Sequence, residues 1–181
     1  SAVFPNINIF GYTLLPGTEF YARREEYRID AIPVAGYGRA HGEYVVGCES
    51  FDRDEGIEGY YLISAHILLV RGYVIPFIAR YLALLGGFGV SRFLRATLRA
   101  LAAQFAVELP AIDLADRMTV YENRAELYVA ALRNEERAFG VIGDVLEDSL
   151  RAAGFSVEDR RNAARVLELD RAFCPRVGPG G

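Results

Sequence analysis

Lysine is missing from this chain: all twenty basic residues are arginine, set against twenty-four acidic residues for a net charge of -4. A lysine Schiff base or a lysine general base is therefore excluded within it. Arginine can clamp a carboxylate or phosphate, but it does not titrate in a useful range. The charge balance also provides no strong basic field for nucleic acid or an anionic membrane. Cysteine is scarce. Cys48 and Cys174 stand far apart, with no CxxC and no metal-ligand spacing. Two isolated thiols fit a reducing compartment, where such residues serve mostly as small buried hydrophobes. His41 and His66 are the only histidines, so local spacing assembles no metal site. The first residues lack the basic region and long apolar stretch of a leader, and none is expected.

What is present is apolar. Hydrophobic residues make up 52% of 181, enough for a sizeable core and too many for a disordered chain. The run Gly59–Gly87 has the composition of a membrane span, but Arg71 and Pro76 interrupt it near the middle and Arg80 follows. A central arginine opposes insertion, so a buried or interface helix pair is the expectation and a membrane span the weaker alternative.

Val3–Leu15 reads as a strand that is apolar on both faces, as in a parallel sheet covered on each side. A Pro-Gly stop follows, and Thr18 is placed to cap a helix over Glu19–Tyr27. Ile29–Ser50 is rich in Gly and Tyr and reads as a long loop with a short strand at Tyr44–Val46. From Phe51 onward the pattern is helical. Asp52–Glu55 is a capping-box pattern for a helix to about Tyr73, which Pro76 kinks or ends. Ser91 is placed to cap the next helix, with Phe93, Leu94, Leu98, Leu101 and Phe105 on one stripe and Arg92, Arg95 and Arg99 on another face. Pro110 closes that unit. Further helices are expected over Ala115–Arg133, Glu135–Ala152 and Val157–Arg171, the last opened by the capping-box pattern Ser156–Asp159. One strand before so much helix leaves backbone groups to be paired. Either the chain dimerises through that strand, or its sheet lies in another part of a longer polypeptide.

The stretch GYTLLPGTEFYARREEYRI, followed by VAGYGRAHGEYVVGCESFDRDEGIE, resembles the carboxy-terminal region of cobalamin-dependent radical SAM enzymes. Leu15, Pro16, Gly17, Thr18, Glu19, Phe20 and Tyr21 match the turn and helix after a late strand of that family's partial (β/α) barrel. Tyr44–Val46 and Ser50–Asp54 match its later aromatic and acidic pattern. The likeness covers about Ile7–Glu58. It implies a mainly α fold in which one or two amino-terminal strands, the late part of a partial β/α barrel, precede a helical carboxy-terminal domain. The corresponding parts are residues 1–50, the barrel end and its Tyr/Gly-rich loop; 51–174, a helical cap; and 175–181, a flexible tail.

The resemblance further implies that Tyr12, Thr13, Leu14, Leu15 and Gly17 pass near S-adenosyl-L-methionine (SAM), as strand ends do in barrels. Tyr37, Arg39, His41 and Tyr44 would face a small-molecule substrate. The family's CxxxCxxC, which ligates a four-iron four-sulfur cluster, is absent from this chain, as is a cobalamin-binding domain. Two distant cysteines cannot supply the converging thiolates of such a cluster. The chain would then be part of a cytoplasmic enzyme whose cluster, SAM and cobalamin need further amino-terminal domains or a further subunit, with no catalytic residue assigned here. Two other readings stand beside it: a non-enzymatic helical dimerisation module built on Gly59–Gly87, and a membrane-associated helical protein. Residue by residue, the plainer roles are core packing for His66, Cys48, Tyr60 and Tyr61, and solvated helix faces for the Arg92, Arg95, Arg99 ridge and for Asp144, Glu147 and Asp148.

Overall fold

The computed structural model describes residues 11–34 and 42–177. The chain is mainly helical, with a small sheet near the amino terminus, and divides into two compact units, Ser1–Ile63 and Ser64–Gly181.

In the first unit, β1 (Thr13–Leu14) precedes the short α1 (Glu19–Ala22), β2 (Asp30–Pro33), β3 (Glu43–Gly47) and the start of α2 (Arg53–Ala65). The strand order is β1-β3-β2 and both ladders are antiparallel, with Thr13 opposite Tyr44, Leu14 opposite Glu43, and Ile32 also opposite Tyr44. The sequence leads one to expect a strand whose partners lie outside the chain. Its described part instead pairs within the chain, while residues 3–10 of that strand lie outside the described residues. The partner comes from the segment read as a loop. β3 is longer than the expected Tyr44–Val46, and β2 is a second strand that the Gly- and Tyr-rich composition concealed.

Two close approaches fix this unit. The Tyr12 carbonyl accepts from the Val45 amide at 2.9 Å and from the Tyr60 hydroxyl at 2.6 Å, tying β1 to both β3 and α2. Gly56 lets α2 lie against β3: a Cβ there would sit 1.9 Å from the Val46 carbonyl oxygen. The Asp52 capping box forms as expected, Asp52 Oδ1 accepting from the Glu55 amide and Glu55 Oε2 from the Asp52 amide. Helix α1 stops at Ala22, short of the expected Tyr27, and its chain turns through Arg28 at φ +50°.

Beyond Ala65 the helical ladder widens to i to i+5 bonding over His66–Arg71, with the Gly72 amide reaching the Ile67 carbonyl at 2.8 Å. The second unit then contains α3 (Pro76–Leu84), α4 (Val90–Phe105), α5 (Arg117–Glu122), α6 (Arg124–Arg133), α7 (Glu135–Ala152) and α8 (Val157–Phe173). Helix α4 packs chiefly on α7, α7 on α8, and α3 on α8. All five residues of the expected α4 stripe are buried, joined by Ile142, Leu146 and Leu150 of α7.

The helix ends at Arg71, ahead of Pro76 as expected, and Pro76 itself opens α3 at the first helical position, where its missing N–H is harmless. Ser91 does not cap α4; Gly89 stands at that position without a capping side chain. Phe88 packs on Phe93 instead, centroids 6.2 Å apart, an apolar staple across the first turn. The helix expected over Ala115–Arg133 is two, divided at Asn123, whose amide nitrogen donates to the Thr119 carbonyl at 2.8 Å.

Candidate functional site

Of the sequence-chosen residues, those that are described lie in and beside β1, with Tyr44 on β3. Thr13 and Tyr44, expected on the SAM and the substrate side respectively, are cross-strand neighbours. Leu14 is buried at 1% exposure, while Tyr12 and Leu15 are half exposed. Gly17 is exposed at φ +82°, a conformation that suits glycine in the turn leading to α1. Thr18 then closes the turn, its hydroxyl donating to the Leu15 carbonyl at 2.7 Å and accepting from the Tyr21 amide at 3.2 Å. Tyr37, Arg39 and His41 lie outside the described residues.

Two features here escaped the sequence reading. The first is Glu43, fully buried in β3, whose Oε2 accepts from Arg24 Nη1 at 2.9 Å. A lone Glu in front of a Tyr-Val-Val run looks like the polar end of a loop, and only the strand register places it inside. The second is a row of rings. Tyr12 meets Phe20 edge-on at 6.3 Å, Phe20 meets Tyr27 at 5.4 Å, and the Arg23 guanidinium lies 4.7 Å from the Tyr27 centroid. Arg23 also pairs with Glu19 and Glu26, and holds the Glu26 carboxyl below its ordinary range. Gly42 belongs to the same place, because a Cβ there would press on Thr13 Cγ2 at 3.0 Å and on the Leu14 carbonyl at 3.3 Å.

Among the described residues this edge offers ring faces, a strand paired on one side and a part-buried ion pair. Rings and strand edges stack and hydrogen-bond a ligand, or extend a sheet. Among the described residues no group of three His, Cys, Asp or Glu side chains is gathered to hold a metal ion.

The second unit holds other polar groups. Asp170 is 1% exposed, and its two oxygens accept from the Phe77 and Ile78 amides at 2.8 and 2.7 Å. Helix α3 has Ile75 before Pro76 and no cap of its own, so α8 provides one from 93 residues away. Burial pushes the Asp170 carboxyl up to about 6, and the two amides pull against that rise. Burial likewise raises the Cys174 thiol to about 11, with Glu135 and Asp170 adding to it, which makes this thiol unreactive.

His66 is not the satisfied core histidine expected. It is half-buried, its Nδ1 is buried without a hydrogen-bond partner among the described residues, and burial then Arg71 lower its pKa. Tyr60 and Tyr61 are buried, in keeping with a packing role. In the basic ridge Arg92 and Arg99 are exposed. Glu147 is engaged rather than merely wet, accepting from Arg151 at 2.9 Å and from Arg160 of α8 at 2.7 Å. A cleft of about 440 Å³ between α4 and α7 is lined by Phe88, Arg92, Phe93, Asp148 and Ser149 among others, and contains none of the sequence-chosen site residues. No single helix among the described residues is long and apolar enough to cross a membrane.

Compared with known proteins, the chain matches no protein-family model, and no curated protein matches it significantly.

Proposed function

We propose that this chain is the carboxy-terminal, substrate-side portion of a cytoplasmic, cobalamin-dependent radical SAM enzyme. Joined to the domains that hold the four-iron four-sulfur cluster and cobalamin, such an enzyme cleaves SAM reductively and often transfers a methyl group to a substrate carbon. On this reading Tyr12, Thr13, Leu14, Leu15 and Gly17 border SAM, and Tyr37, Arg39, His41 and Tyr44 border a small-molecule substrate. The helical unit acts as a cap, and the missing amino-terminal domains are the partner.

The observation that carries the reading is the edge position of β1. Among the described residues it pairs on one side only, and Tyr12, Leu15 and Phe20 beside it are each about half exposed, at 51, 50 and 51%. Such a strand, ending in the Leu-Pro-Gly-Thr turn, is suited to continue a larger sheet whose ligand lies at the strand end. The test is a longer polypeptide that places an upstream CxxxCxxC in frame with this chain, reconstituted with iron and sulfide. It should absorb broadly in the visible and cleave SAM under reducing conditions. A colourless protein that leaves SAM intact overturns the proposal. So does a reading frame with no such cysteines upstream or in a neighbouring frame.

A further inference from the structure

Helices α4 and α7 pack along each other but leave a gap at one end. At the other end the Arg137 guanidinium, early in α7, lies 4.2 Å from the centroid of the Phe105 ring that closes α4. The start of α4 and the end of α7 instead border a cleft of about 440 Å³, a size that small-molecule sites have. Phe88, Phe93 and Val145 give it apolar walls. The Phe88 ring is packed between Phe93 and Phe155, with centroids at 6.2 and 5.8 Å. The polar side chains of the cleft are Arg92 from α4 and Asp148 and Ser149 from α7.

Arg92 and Asp148 have opposite charges and line one cleft, yet they do not pair with each other. Among the described residues neither has any ion-pair partner. Other charges nearby in the chain are engaged elsewhere: Arg151 and Arg160 both go to Glu147, and Arg95 donates to the Ser91 carbonyl. Arg92 also stands in the first turn of α4, where a cation opposes the helix dipole, so helix stability does not account for it. Two unpaired charges in an apolar cleft select a ligand that carries both counter-charges. A simple carboxylate attracted to Arg92 would be repelled by Asp148, and a simple amine attracted to Asp148 would be repelled by Arg92. A zwitterion with an apolar body meets neither penalty. We propose that the cleft between α4 and α7 binds a small apolar amino acid. Its carboxylate lies on Arg92, its ammonium group on Asp148, and its side chain against Phe88, Phe93 and Val145. The site lies wholly within the helical unit and does not rest on the SAM reading.

The test is an NMR titration of the full chain with three probes: L-phenylalanine, its N-acetyl derivative, which lacks the ammonium group, and its amide, which lacks the carboxylate. L-phenylalanine should give saturable shifts at the Val145 methyls and the Ser149 amide, and should bind about fivefold more tightly than either analogue. Arg92→Gln should remove the advantage of L-phenylalanine over the amide, and Asp148→Asn its advantage over the N-acetyl derivative. Both substitutions replace exposed side chains and should leave the melting temperature nearly unchanged. Three results would each overturn the proposal: no saturable shift at the cleft with L-phenylalanine, equal binding of the three probes, or a preference for L-phenylalanine that survives both substitutions.

Discussion

Gly56 and Gly59 stand one turn apart in α2 and meet opposite conditions. A methyl group at 56 would lie 1.9 Å from the Val46 carbonyl oxygen, whereas one at 59 meets nothing within 4 Å. Gly56→Ala should push α2 off β3 and cost about 1–3 kcal/mol or more. Gly59→Ala should gain about 0.5–1 kcal/mol through helix propensity alone. Urea midpoints of the two variants check the difference in sign. Arg24→Ala leaves the buried Glu43 carboxylate without its guanidinium and should cost about 3 kcal/mol. Adding Glu43→Gln should restore part of that loss, since the second change removes the buried charge; a double-mutant cycle reads the coupling. Asp170 gives a pH prediction. Its folded pKa, about 6, lies above the ordinary aspartate value that it has in the unfolded chain, so its favourable contribution is complete below that unfolded pKa and is lost as pH rises through about 6. Asp170→Asn does not titrate and has one oxygen for two amides. It should be less stable than the parent at pH 4, with the gap narrowing by pH 7, as thermal melts at the two pH values would show.

At the scale of elements, helix beginnings were legible where a side chain within three residues makes the cap. Asp52 with Glu55 and Ser156 with Asp159 both form the reciprocal boxes their spacing announces. Ser156→Ala should cost about 1 kcal/mol, read from the urea midpoint and from faster exchange of the Asp159 amide. The beginnings of α3 and α4 were not legible. The cap of α3 comes from Asp170 on another helix, and α4 uses the Phe88–Phe93 staple in place of Ser91. No local pattern records either. The amphipathic helices α7 and α8 were placed almost to the residue, because their apolar spacing is long and regular. β2 and β3 were missed or shortened for the converse reason. Four or five residues are too few for alternation to show, and a buried Glu at the start of β3 breaks the pattern it would need. Of the candidate site, the turn Leu15–Thr18 was visible from its Pro-Gly sequence. The Tyr12, Phe20, Tyr27 row was not, since it forms only when the chain after α1 folds back.

For the whole molecule, composition sets the solution behaviour. With an isoelectric point near 5.3, solubility should be lowest close to that pH and recover toward neutrality, which light scattering across pH 4–8 would detect. The sequence by itself determined the helical class, the positions of the long helices, the local caps and the absence of lysine chemistry, because each depends on residue type or on spacing within a few turns. Only the tertiary structure decided that β1 pairs antiparallel with β3, that Glu43 lies inside beside Arg24, that Asp170 caps a helix 93 residues earlier, and that the Phe77 and Phe173 rings meet edge-on. Each of these joins residues distant in the chain. Their energies come from burial and hydrogen bonds that exist only once the backbone has brought them together.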